Sequence, residues 1–99
     1  MDWLEKYPSR SPGTAFRFVN GEALIVVPHT GRVYALNQVG SFIWHQADGT
    51  RTGSAIVQDI CQRFEVTAQE AAGDLPEFFQ DLVVKGLLEI VAQPVAAGR

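Results

Sequence analysis

One boundary constrains the fold of this chain more than any other feature: at Asn37 the apolar residues change period. Between Ala15 and Leu36 they form short strand-like runs. From Val39 onward they recur every three to four residues, as on one face of a helix. A single switch of this kind builds an α+β domain, sheet first and helices second. With 99 residues, the chain has room for one such domain and one core.

Within the sheet segment, Asn20-Gly21 separates two apolar runs. A type I′ turn needs positive φ at both central residues, and Asn-Gly supplies them, so residues 15–19 and 22–27 are expected to pair as a hairpin. Residues 23–27 are apolar on both parities, which predicts a strand covered on both sides. Pro28-His29-Thr30-Gly31 marks a second turn, and residues 32–36 a third strand, completing a three-stranded antiparallel meander. Residues 1–14 hold Pro8 and Pro12, with Trp3, Leu4 and Tyr7 as their large apolar groups. They read as an N-terminal arm that docks without forming an element of its own. Residues 15–91 read as the domain and 92–99 as a tail.

Asn37 is placed to cap a helix carrying Val39, Phe42, Ile43 and Ala47, which stops at Asp48-Gly49. Thr52 opens a second, with Ile56, Val57, Ile60 and Phe64 on one face. Thr67-Ala68-Gln69-Glu70 is a capping box, so a third helix is expected from there to Lys85, with Gly86 as its C-cap. Gly73 and Pro76 interrupt that pattern. Proline removes the hydrogen bond to the carbonyl four residues back, here that of Ala72. The spacing predicts a kink around residues 72–76, or a helix that starts properly only at Asp74. Residues 87–91 suit a short closing strand. The expected order is β-β-β-α-α-α-(β), a winged helix-turn-helix-like arrangement.

Charge narrows the function. Residues 1–51 carry five basic and four acidic groups, and residues 52–99 three basic and seven acidic, so the net charge of −3 arises in the second half. Glu70, Asp74, Glu77 and Asp81 fall at i, i+4, i+7 and i+11 and share one face of the third helix. In a helix-turn-helix that helix would enter the DNA groove, where these carboxylates would meet phosphates, so a nucleic-acid partner is disfavoured. The longest apolar stretch, residues 23–27, is far too short to span a bilayer. The first five residues lack the basic and apolar regions of a signal peptide, which points to a soluble, cytoplasmic protein.

Catalytic signatures are missing too. The lone Cys61 excludes an intrachain disulfide framework and a multi-cysteine metal site, and it reads as a small apolar residue. His29 and His45 fall in different elements and belong to no metal-ligand motif. Ser41 and His45 are i, i+4 on one helix, but no carboxylate is placed in sequence to orient the imidazole. Trp44 suits the core. No catalytic residue, metal or cofactor is expected.

The recognition chemistry that remains is that of an open strand edge. Unpaired backbone N–H and C=O groups can add an extended peptide as a further strand, while alternate side chains set specificity. The edge in question is Arg32, Val33, Tyr34, Ala35 and Leu36. The third helix carries two apolar stripes: Leu75, Phe78 and Leu82 on one, read as the core stripe, and Phe79 and Val83 beside it. The second stripe suits a groove wall, a wide core face or a dimer contact. The carboxylates of Glu77 and Asp81 suit a solvated face or an attractive rim for a basic peptide.

Read in order, Leu36-Asn37, Gly40, Ile43-Trp44, Asp48-Gly49, the Thr52 helix start, Phe64, Asp74, Phe78 and Lys85-Gly86-Leu87-Leu88 form a spaced string. This string resembles the PqqD-like proteins, peptide chaperones also called RiPP recognition elements, over roughly residues 15–91. The resemblance implies a non-catalytic domain that binds the leader segment of a ribosomally made precursor peptide and presents it to a modifying enzyme. That enzyme could be a radical enzyme, a leader protease or a ligase-type enzyme. The leader is expected to lie along residues 32–36, facing Leu75, Phe79 and Val83, with Glu77 and Asp81 as rim and no cofactor. Two other functions fit the same topology: a homodimerisation or interaction module using that edge, and a winged-helix DNA binder. A monomer or weak homodimer is expected.

Overall fold

The computed structural model describes residues 3–94; Met1, Asp2 and residues 95–99 of the expected tail lie outside the described residues. A 3-10 turn (Trp3–Glu5) leads into β1 (Tyr7–Arg10), β2 (Ala15–Val19), β3 (Glu22–Val27) and β4 (Arg32–Ala35). Three helices follow, α1 (Gln38–Gln46), α2 (Gly53–Arg63) and α3 (Ala68–Val84), and β5 (Leu88–Val91) closes the chain.

The meander forms as expected. Asn20 and Gly21 take φ of 54° and 81°, the turn that Asn-Gly encodes. Strands β2, β3 and β4 lie in that order, with Phe16 opposite Ile25, and Ile25 opposite Tyr34. Cover over β3 is one-sided, however. Ala23 and Ile25 are fully buried on the face that meets α1. Leu24 and Val26, on the other parity, are only half-buried, beside cross-strand neighbours Ala35 and Val33. Apolar residues on both parities therefore reflect one core face and one face shielded mainly by its own neighbours.

The arm does more than dock. β1 pairs antiparallel with β5, Tyr7 opposite Val91 and Arg10 opposite Leu88. Its backbone also reaches the helices: Arg10 N–H donates to the Ala47 carbonyl at 2.9 Å, and Gly53 N–H donates to the Lys6 carbonyl at 3.0 Å. Pro8 is tolerated because its backbone groups face away from β5, so the missing N–H removes no bond from that ladder. The Pro8 carbonyl accepts from Gly49 N–H at 2.9 Å.

In helix α3 the later of the two expected starts is overturned. The helix runs without a break from Ala68 to Val84, with Pro76 inside it, and does not wait until Asp74 to begin. Both halves of the capping box form, Thr67 Oγ1 accepting from Glu70 N–H at 3.1 Å and the Glu70 carboxylate accepting from Thr67 N–H at 3.3 Å. On either side of the proline the helix is anchored in the core, by Ala71 and Leu75 before it and Phe79 and Leu82 after it. Burial of these side chains compensates the one lost backbone bond. At its end Gly86 N–H donates to the Val83 carbonyl at 3.0 Å and Leu87 N–H to that of Leu82 at 2.9 Å, satisfying the last turn.

Trp44, Ile43, Ile56, Ile60 and Leu87 complete the core. Among the described residues no helix is long and apolar enough to cross a membrane.

Candidate functional site

β4 is an edge of its sheet, and one hydrogen bond sets the phase of its ladder. Leu36 N–H donates to the Ala23 carbonyl at 3.0 Å. Antiparallel pairing alternates, so Tyr34 shares that inward direction, while Val33 and Ala35 turn their N–H and C=O groups to the open side. Where the ladder ends, Ser41 takes part. Its hydroxyl accepts from Ala23 N–H at 2.6 Å and donates to the Leu36 carbonyl at 3.2 Å, with the side chain 1% exposed. Ser41 is thus a clasp between the end of the sheet and α1, which accounts for its hydroxyl without His45.

A cavity of about 340 Å³ opens between the end of β4, the first turns of α1, and α3; its walls include Ala35, Leu36, Gly40, Asp74, Leu75 and Phe78. Gly40 lets the helices close on it. A Cβ there would lie 3.3 Å from the Phe78 ring and 3.2 Å from Asn37 Oδ1, which caps the helix by accepting from Gly40 N–H at 2.8 Å. A second hollow of about 640 Å³ continues along α3, lined by Asp74, Glu77, Phe78, Asp81 and Val84 among others. Lys85 Nζ sits 2.8 Å from Asp81 Oδ2 and 5.2 Å from the centre of the Tyr34 ring. It links α3 to β4 at the far end of the groove.

The structure brings together only part of the set expected from sequence. Ala35, Leu36 and Leu75 meet in the first cavity, and Glu77 and Asp81 line the second. Tyr34 is half-buried on the core side of β4, whereas Arg32 and Val33 are exposed. Phe79 must be corrected: at 2% exposure it is core, its ring 5.0 Å from that of Trp3. Val83 is half-buried and packs against the core. The residues that occupy the groove are Phe78 and Val84 instead. The reason is the arm, which lays Trp3 against Phe79 and makes that position interior. A signal for Phe78 was present: Asp74 precedes it by four residues and Asp81 follows it by three, so it lies on the flank that carries the acidic stripe.

Among the described residues no group of three or more His, Cys, Asp or Glu side chains could hold a metal ion. His45 is exposed. Asp48 is held below the usual carboxylate value. Partial burial pushes it up, but hydrogen bonds from the Thr50 hydroxyl and N–H and the charges of Arg10 and Arg51 outweigh that.

Fold and site together define a class: small α+β domains in which an open strand edge runs beside a helix-walled groove. The sequence matches the family model for coenzyme PQQ synthesis protein D (PqqD) over residues 22–88, and the chain belongs to that family. It is 32% identical over 73 residues to the PqqA binding protein of Rhizobium meliloti (strain 1021), covering 74% of this chain and 72% of that protein. The solved structure of TbiB1 in complex with the TbiA(beta) leader peptide is similar with a TM-score of 0.76 at 28% identity, covering 82% of this chain and 94% of that one.

Proposed function

We propose that this protein is a non-catalytic recognition element that takes up the leader segment of a ribosomally made precursor peptide as a strand along β4 and presents it to a modifying enzyme. The observation that carries this is the outward-facing N–H and C=O pairs of Val33 and Ala35, set beside a groove with Phe78 in its wall and Asp74, Glu77 and Asp81 around it. Backbone pairing supplies affinity without regard to sequence; an apolar leader side chain enters the cavity beside Phe78 and Leu36, and the carboxylates attract basic leader residues. Two similar proteins support the reading, since one is named for binding PqqA and the other is solved with a leader peptide.

An NMR titration of the full chain with the cognate leader tests it. Amide shifts are expected at Val33 and Ala35 and along residues 74–78 of α3. Shifts confined to β1, α2 or β5 would remove the proposal. Concentration-dependent pairing through β4, with no peptide effect, would favour the homodimerisation reading.

A further inference from the structure

The sheet has a second open edge, on β2, in a contrasting chemical setting. Because Ile25 bonds towards β4, Leu24 and Val26 direct their amides to β2, where their partners are Arg17 and Ala15. Phe16 and Phe18 therefore present N–H and C=O to the outside. The two residues are 38% and 43% exposed, and their rings meet edge to face at 5.8 Å.

Beside Phe18 opens a cavity of about 470 Å³ between β2, α1 and the end of α2, with Phe42, Phe64, His45 and Arg63 in its walls. Apart from His45, Arg63 is the one ionisable side chain among the described lining residues, and no carboxylate lines the cavity. Its guanidinium lies 5.3 Å from the centre of the Phe42 ring. Of the other arginines nearby, Arg17 lies on the opposite face of β2 from Phe16 and Phe18, and Arg10 and Arg51 are engaged. Arg10 Nη1 donates to the Trp44 and His45 carbonyls at 2.7 and 3.0 Å, and Arg51 pairs with Asp59 at 3.4 Å. Arg63 is left to receive a carboxylate, for which a planar guanidinium held on an aromatic ring is well shaped.

We propose that the β2 edge and this aromatic cavity form a second docking surface, occupied by the modifying enzyme through an extended segment with an aromatic side chain flanked by carboxylates. The proposal rests on the reading of β4 as the leader site. Exposed aromatics and an arginine are the groups that anchor protein interfaces. The charge contrast, acidic along α3 and cationic at Arg63, separates the two occupants. β2 and β4 flank β3 on opposite sides, so enzyme and leader are held on opposite margins of one sheet without competing.

Two short synthetic peptides test this by NMR on the full chain, one alternating Glu with Phe and the other alternating Lys with Leu. The Glu/Phe peptide is expected to shift the amides of Phe16, Phe18, Arg63 and Phe64. Arg63→Glu should weaken it about tenfold or more, Phe18→Ser should weaken it as well, and Glu77→Lys should leave it unchanged. The Lys/Leu peptide is expected at Val33 and Ala35, with the opposite response to these variants. Binding of the Glu/Phe peptide at β4, no binding, or indifference to both Arg63→Glu and Phe18→Ser overturns the second surface. Failure of the Lys/Leu arm, with the Glu/Phe arm intact, instead counts against the leader site. Shifts of Phe16 and Phe18 with protein concentration alone would replace the enzyme with a second copy of this chain.

Discussion

Truncating Phe78 and truncating Phe79 should have opposite consequences, although the residues are adjacent. Phe79 is 2% exposed, with its ring tilted against that of Trp3 at 5.0 Å, so Phe79→Ala leaves a cavity in the core and breaks an aromatic pair. Such changes cost ~3–5 kcal/mol, a large share of the ~5–15 kcal/mol that holds a domain together. Phe78 is half-buried, in contact with the Gly40 turn, and faces the groove. Phe78→Ala therefore forfeits roughly 1–2 kcal/mol of burial. It also removes the wall against which a leader side chain packs, worth about 1–3 kcal/mol of binding, or about fivefold to more than a hundredfold in Kd. Urea unfolding followed by tryptophan fluorescence reads the first quantity, with Trp3 beside the Phe79 site as a local reporter. Calorimetric titration with the leader, under conditions where each variant is folded, reads the second. A Phe79→Ala protein of near wild-type stability that has lost leader affinity would refute the reasoning, because it would put Phe79 in the groove and Phe78 in the core.

Val33→Pro should abolish leader binding while leaving the fold nearly intact, since the N–H it removes points away from β3; a urea midpoint that falls as far as for Phe79→Ala would show that the ladder phase is wrong. Cys61→Ser should leave leader affinity within about threefold and cost at most ~1–3 kcal/mol of stability at this half-buried position; a folded variant that no longer binds would contradict this. Asp48 titrates below its ordinary value, so its contribution is complete above the unfolded value and fades as pH falls through the lower folded one. Asp48→Asn should thus be less stable than wild type at neutral pH, with the gap closing in strong acid; an unchanged gap across the acid range would count against it.

The parts of the fold legible in the sequence are those encoded locally. Asn20-Gly21, the Asn37 and Thr52 caps and the Thr67/Glu70 box each satisfy a geometric need within a few residues, and each forms. The strand at residues 7–10 carries no such mark. It contains a proline, and its partner β5 lies at the other end of the chain, so only the assembled tertiary structure defines it. The misplacement of Phe79 follows from the same omission. Helical periodicity gives two adjacent apolar stripes but not which one a distant Trp3 will cover. For Pro76 the local rule was correct about the lost hydrogen bond and silent about the burial that keeps the helix whole.

The spaced string at the strand-to-helix junction shows why residues individually commonplace can mark a family together. Asn37 caps α1 through Gly40 N–H at 2.8 Å, and Gly40 admits the Phe78 ring, whose nearest atoms would lie 3.3 Å from a Cβ. One residue on, Ser41 ties the Ala23 amide and the Leu36 carbonyl to the same helix turn. Ile43 and Trp44 sink that turn into the core, and Gly49 N–H, at 2.9 Å from the Pro8 carbonyl, fastens its end to β1. The contacts of Asn37, Gly40 and Ser41 bear on one quantity, the position of the β4 edge relative to α3. A strand edge alone would pair with many chains; an edge held at a set distance from a groove admits only segments whose side chains fit it. If the leader adds at β4 as proposed, selectivity resides in a junction whose residues need not all touch the peptide, and Gly40→Ala or Ser41→Ala is expected to weaken leader binding without changing any side chain on β4.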